Sequence, residues 1–269
     1  MYGAIVGDMA GSVYERHNTT NYDFPFFKFF GTKHSRFTDD SVLTVATASA
    51  ILKSKTNKAP LTSDLFSEEY KEFHRRFPHR GYGRGFTKWV DEPIGVLGDS
   101  YGNGSAMRVS PIGWISNNLE ETLYLAAITA KCSHAHEEGV KGAQAIAACI
   151  FMARTGCTKE AIEQYITGNF KYDLNASVQE LIPNSSFASC QATVPPAIKA
   201  FLESSDYEDA VRRAVIMGGD SDTIAAMSGS IAEAYYGGVP LSLRSVAFIL
   251  LPLSMKRIVN NFRQEYHIP

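Results

Sequence analysis

The segment Ile216-Met217-Gly218-Gly219-Asp220-Ser221-Asp222-Thr223-Ile224-Ala225-Ala226-Met227-Ser228-Gly229-Ser230 decides how this chain is read. A Gly-Gly turn leads into two carboxylates and a hydroxyl, then into small apolar residues at helical spacing. Such a run predicts a buried helix that neighbouring helices approach closely. The same order of residue types recurs at Thr38-Asp39-Asp40-Ser41, ahead of Val42-Leu43 and Val45-Ala46. Asp, Ser and Thr are ordinary N-cap residues, so capping is one explanation of both clusters. Capping accounts for one acid per helix start, not for an Asp-Asp and an Asp-x-Asp each flanked by threonine. Hard oxygen donors in that number suit Mg²⁺, Mn²⁺ or Ca²⁺. If the two helix starts converge, four carboxylates share one site. Each like-charge pair at ~4 Å then costs about 4 kcal/mol at an effective dielectric of about 20. A divalent cation relieves that repulsion.

Working outward, the helical period dominates. Apolar residues recur at three- and four-residue steps over 41–53, 63–76, 119–130, 138–154, 189–203, 207–217, 221–236 and 243–250. Convincing alternating strands are absent, since the aromatic stretch 24–30 is interrupted by Pro25 and Lys28. Gly31, Pro60, 78–85, 93–104, Pro183, Pro195-Pro196 and Pro240 read as connections. The expectation is a single compact all-α domain of many short helices over residues 1–269. At the amino-terminal end, Gly3, Gly7 and Gly11 fall at four-residue steps and would form a flat helical stripe. Glycine costs about 0.8–1 kcal/mol per helical position relative to alanine, so close packing must offset it. Asp8 on that helix is expected to hydrogen-bond a neighbouring helix start. Glu15, beside Arg16 and His17, reads either as a surface salt bridge or as a catalytic acid or base.

With 45% hydrophobic and 20% charged residues, the 269-residue chain is an ordinary globular composition. A chain of that size buries roughly three quarters of its unfolded surface and needs no staples. Lys+Arg 26 against Asp+Glu 28 leaves a net charge of −2, and no basic run suggests a broad nucleic-acid surface. Cys132, Cys149, Cys157 and Cys190 show no CxxC pairing, and no basic n-region opens the chain. A reducing, cytoplasmic setting is therefore expected. Stretches 142–153 and 246–253 are too short to span a bilayer.

Two glycine-rich segments precede or join helices: Gly98-Asp99-Ser100-Tyr101-Gly102-Asn103-Gly104 and Gly81-Tyr82-Gly83-Arg84-Gly85. Their backbone amides can cradle phosphate, although ordinary turns use the same residues. Cys132-x-His134-x-His136 could form half of a zinc site, but no second cluster completes it. His134 reads as a polar ligand contact or a satisfied core histidine. A Cys132–His134 nucleophile pair lacks an orienting third group.

Taken in order, Gly7-Asp8…Gly11-Ser12-x-x-Glu15, Thr38-Asp39-Asp40, Gly81-Tyr82-Gly83, Ser100-Tyr101-Gly102-Asn103-Gly104-x-Ala106-Met107-Arg108, Ser133-His134 and Gly219-Asp220-x-Asp222-Thr223 resemble the ADP-ribosylglycohydrolase family. The wording around Glu15 and Arg80–Gly83 is similar to the branch that removes ADP-ribose from serine. Ser133, where threonine is usual, and Asp99, where that branch has glycine near the phosphates, depart from it.

The resemblance implies a compact all-α orthogonal bundle of many short helices with a dinuclear Mg²⁺ or Mn²⁺ cleft. Thr38, Asp39, Asp40, Asp220, Asp222 and Thr223 would be the metal ligands. Glu15, Asp39 and Asp222 would be catalytic, and Gly83, Ser100, Tyr101, Gly102, Asn103 and His134 would bind substrate. The implied reaction is hydrolysis of the bond between ADP-ribose and its acceptor. Two alternatives stand beside it: a non-catalytic ADP-ribose-binding module, or another metal-dependent phosphohydrolase. Implied partners are ADP-ribosylated proteins or other conjugates, nucleic-acid-linked ADP-ribose included, and no membrane. The residues from Glu15 to Lys33 would shape the acceptor side; packing against the core is the other explanation for their aromatics.

Overall fold

The computed structural model describes residues 1–15, 18–30, 34–177, 180 and 188–269. In chain order the helices are α1 (Tyr2–Gly11), α2 (Asp39–Asn57), α3 (Ser63–Arg76), α4 (Arg84–Val90), α5 (Gly104–Met107), α6 (Ser110–Ile115) and α7 (Leu119–Lys131). They continue as α8 (Glu137–Arg154), α9 (Lys159–Phe170), α10 (Cys190–Leu202), α11 (Tyr207–Ile216), α12 (Ser221–Tyr235), α13 (Leu241–Leu250) and α14 (Leu253–Glu265). Among the described residues there is no sheet; two isolated bridges pair Asp99 with His134 and Gly102 with Ser189.

The centre of the bundle is α12, buried from Ser221 to Ala234. It packs against α1, α8, α10 and α11, and its contact with α1 is the most extensive in the molecule. The glycine stripe explains that closeness. A Cβ on Gly3 would stand 2.2 Å from the Gly229 carbonyl oxygen, and one on Gly7 only 2.1 Å from that of Ala225. At Gly11 it would stand 2.5 Å from the Asp222 Cα, so the stripe sets how near α1 runs to the acids of α12. Glu233 caps the other end of α1, accepting from the amides of Tyr2 (3.1 Å) and Gly3 (2.9 Å).

Thr38 is the N-cap of α2 and accepts from the Asp40 amide at 3.3 Å, which places Asp39 and Asp40 in the first turn. Two acids are electrostatically suited to that end of a helix dipole. The helix therefore begins two residues before the periodic apolar run, because its first turn is acidic rather than amphipathic.

Pro195 and Pro196 lie inside α10, not in a connection as their type suggested. They are the sixth and seventh of its thirteen residues, and the carbonyls they cannot satisfy belong to exposed Gln191 and half-buried Ala192 in the first turn. Helices α4, α5, α6, α9 and α14 were not singled out by periodicity. The first three are short and lie in or beside glycine- and proline-containing segments read as connections. Within the aromatic stretch, Phe24 and Phe26 are buried and Phe29 and Phe30 exposed. Arg212 spans the inner pair, donating to the carbonyls of Tyr22 and Phe24, both at 2.8 Å. The connections assigned to Gly31 and Pro183, and the Arg16 and His17 neighbours of Glu15, lie outside the described residues.

Candidate metal centre and binding cleft

The starts of α2 and α12 do converge, and α1 joins them. One carboxylate oxygen from each of Asp8, Asp40 and Asp222 lies within 4.8 Å of the others, and all three residues are buried. Asp8 behaves as the sequence led us to expect. It accepts from the Thr38 amide (2.9 Å), the Thr38 hydroxyl (2.8 Å), the Ser41 amide (3.1 Å) and the Ser41 hydroxyl. Asp40 is different. Its Oδ2 lies 3.2 Å from both the Thr38 and the Thr223 hydroxyls, while its buried Oδ1 has no hydrogen-bond partner. A buried carboxylate oxygen without a donor is costly unless a cation or proton meets it.

The electrostatics say the same. Burial raises Asp39, Asp40 and Asp222 well above the usual carboxylate range, and neighbouring acids push them further. For Asp39 the neighbours are Asp8, Asp220 and Glu15; for Asp222 they are Asp220, Asp40, Asp8 and Glu15. Burial also lifts Asp8 to about 6, against the opposing pull of the hydrogen bonds from Ser41 and Thr38. Like charges crowded in a low dielectric either bind protons or bind a cation. The hard oxygen donors and the orphaned Asp40 Oδ1 fit a divalent metal.

Above this floor opens a cleft of about 510 Å³. All six residues expected as ligands (Thr38, Asp39, Asp40, Asp220, Asp222 and Thr223) line it. Glu15 lines it too, with Asn18, Arg36 and Arg80. Loops tie the acids in place: the Arg80 carbonyl accepts from the Asp39 amide at 2.9 Å, and Asn103 Nδ2 donates to Asp220 at 2.7 Å. Gly81 has φ +104°, and a Cβ there would stand 2.9 Å from Asp39 Oδ1.

Gly83, Ser100, Gly102, Asn103 and His134 also line the cleft. The Ser100 hydroxyl accepts from the Gly102 amide at 3.0 Å, which shapes the glycine loop. Tyr101 is not among the lining residues. Its side chain is exposed and lies edge-on to His136, with ring centroids 5.5 Å apart. Asp99 is exposed and is also not among the lining residues.

Among the described residues the Cys132-x-His134-x-His136 run forms no metal cluster. The Cys132 thiol donates to the Thr129 carbonyl, and His136 Nδ1 accepts from the Glu138 amide. Those four cysteines are unpaired. Sequence reasoning missed Asn18, Arg36 and Arg80 as cleft residues and Asp8 as part of the acid cluster. Asp8's spacing from the glycines was the one signal, since an acid on a close-packed helix needs a partner.

A family model described as ADP-ribosylglycohydrolase matches residues 1–249. Human ADP-ribosylhydrolase ARH3 is 27% identical, over 87% of this chain and 84% of its own length. ADP-ribosylarginine hydrolase Tri1 of Pseudomonas putida is 26% identical over 56% of this chain and 44% of its own. A solved structure titled ADP-ribosylglycohydrolase-related protein complex superposes with a TM-score of 0.75 at 23% identity, covering 98% of this chain and 95% of that one. That likeness shows the fold. No described helix is long and apolar enough to cross a membrane.

Proposed function

The chain belongs to the ADP-ribosylglycohydrolase family, and from that premise we propose that it hydrolyses the bond between C1″ of an ADP-ribosyl group and its acceptor, with two Mg²⁺ or Mn²⁺ ions held in the cleft. The observation that carries the reading is the buried, unpartnered Asp40 Oδ1 among crowded carboxylates at the base of a cleft. Thr38, Asp39, Asp40, Asp220, Asp222 and Thr223 would hold the ions. When bound, they supply positive charge that organises hydroxyl and water oxygens at the scissile end.

The chain's own residues do the rest. Asp8 locks the start of α2 through Thr38 and Ser41, so the Asp39-Asp40 turn is positioned before substrate arrives. Asn103 orients Asp220 through its amide. Glycosidic cleavage builds positive charge on the sugar, and carboxylates fixed around it stabilise that charge. Glu15 stands on the same cleft, within electrostatic reach of Asp39 and Asp222. It is suited to exchange a proton with the attacking water or the departing acceptor. The Ser100–Asn103 loop, Gly83 and His134 would receive the diphosphate and adenosine half. We propose further that residues 1–269 act as one domain in the cytoplasm, with an ADP-ribosylated protein or related conjugate as partner.

Arginine-, serine- and nucleic-acid-linked ADP-ribose, each incubated with Mg²⁺, Mn²⁺ or EDTA, test the reading. Release of ADP-ribose from at least one substrate, abolished by EDTA and restored by metal, is expected. Binding of ADP-ribose without release from any of them would leave a non-catalytic module, and inorganic phosphate release from simple phosphoesters would point to a phosphohydrolase.

A further inference from the structure

Arg108 is a fully buried cation that makes no ion pair among the described residues. It lies over the Tyr70 ring, 3.9 Å from guanidinium carbon to centroid. Its Nη2 donates to the Thr129 carbonyl at 3.1 Å and to the Ser133 hydroxyl at 2.7 Å, while Nε and Nη1 have no partner. Leaving an arginine in such a place is expensive unless its field or its donors are used. Ser133 Oγ in turn lies 2.8 Å from His134 Nδ1. The other ring nitrogen, Nε2, faces the glycine loop: a Cβ on Gly104 would stand 2.9 Å from it. No described residue accepts from Nε2, and His134 lines the cleft.

Donor and acceptor chemistry decides the direction of this chain of contacts. A guanidinium only donates, so Ser133 Oγ must accept from Arg108. The serine has one hydrogen, and the arginine's charge turns it away, towards His134 Nδ1. Were Nδ1 protonated instead, the serine hydrogen would be left with the Cys132 sulfur, 4.0 Å away and a weak acceptor. Burial, with Arg108's charge adding to it, holds the imidazole well below its usual range, so the ring is neutral and carries one hydrogen. We infer that Arg108 acts through Ser133 to hold His134 in the tautomer whose Nε2–H points into the cleft, making Arg108 and Ser133 positioning residues for the anionic diphosphate of the substrate. The inference rests on the proposed function for the identity of that anion, but not for the tautomer. A neutral N–H offered beside a glycine loop adds a donor for a phosphate oxygen. The opposite tautomer would present a lone pair to the phosphate and repel it.

Two-dimensional NMR of the imidazole nitrogens in the full chain, correlated with ring protons, reads the tautomer directly without substrate. The wild type is expected to show a protonated Nε2 and a bare Nδ1. Ser133→Ala should lose that pattern and bind ADP-ribose about 10–100-fold more weakly by calorimetry, the range for a hydrogen bond to a charged group. In turnover the loss should fall on KM rather than kcat. Ser133→Thr, which keeps the hydroxyl, should restore both the ring signature and the affinity. A wild-type ring protonated on Nδ1 would overturn the inference, and so would an unchanged signature in Ser133→Ala. If the wild type failed to bind ADP-ribose, the functional reading would fall while the ring signature still decided this one.

Discussion

Asp40→Asn should make the metal-free protein more stable, although it removes a charge from the site on which function is proposed to depend. In the wild type, Asp40, Asp8 and Asp222 bring carboxylate oxygens within 4.8 Å, and at an effective dielectric of about 20 each such pair costs roughly 3.5 kcal/mol. Proton uptake by the cluster limits how much of this the wild type bears, since burial and neighbouring acids already raise these groups. The asparagine oxygen can keep accepting from Thr38 and Thr223. Its amide then sits where Oδ1 had no partner and can donate to the surrounding carboxylates. A net gain of about 1–3 kcal/mol at pH 8 in EDTA follows, or about 2–10 °C in Tm for a domain of this size. With Mg²⁺ most or all of that lead disappears. The wild type should gain about 2.7 kcal/mol at a metal concentration one hundred times Kd, and the variant little or nothing. Calorimetric melts of both proteins, with EDTA and across a Mg²⁺ series, provide the measurement. A variant less stable than wild type in EDTA, or one that gains as much from Mg²⁺, would refute the argument that unrelieved repulsion in this cluster awaits a cation.

The stabilising effect of Mg²⁺ should itself grow with pH. Asp8, with a folded value of about 6 against 3.8 in the unfolded chain, favours the metal-free fold fully below pH 3.8 and loses that contribution as pH rises through 6. At 1.36 kcal/mol per unit the loss is about 3 kcal/mol. Melts from pH 4 to 7.5 should therefore separate the EDTA and Mg²⁺ curves progressively, and a constant gap would contradict it. Glu15→Gln should retain ADP-ribose affinity while lowering the hydrolysis rate by about 10²-fold or more; an unchanged rate would remove Glu15 from the proton transfer. Gly11→Ala places a Cβ 2.5 Å from the Asp222 Cα. It should cost about 3 kcal/mol in stability and weaken Mg²⁺ binding together, since α1 must move away from α12. Stability lost with metal affinity intact would show that the stripe does not set the site.

Much of the candidate site was legible because its parts are local. An acidic first turn, a Gly-Gly turn and a glycine loop are each written in consecutive residues, and the helix period is carried by apolar spacing. The short helices α4, α5 and α6 were not legible, because helices of four to seven residues offer too few turns for a period. The prolines of α10 misled for a related reason: residue type alone does not say that the unsatisfied carbonyls fall at half-buried or exposed positions of a first turn.

The linear chain by itself determined the helical class, the oxygen-rich helix starts and the close-packing stripe, since each depends on neighbours within a turn or two. Tertiary structure alone decided that Asp8 joins Asp40 and Asp222, that Tyr101 turns outward while Arg36 and Arg80 face the cleft, and that Arg108 reaches His134 through Ser133. Those facts depend on the angles and distances between helices far apart in the chain. Such distances are set by which side chains, or missing side chains, let the helix surfaces touch.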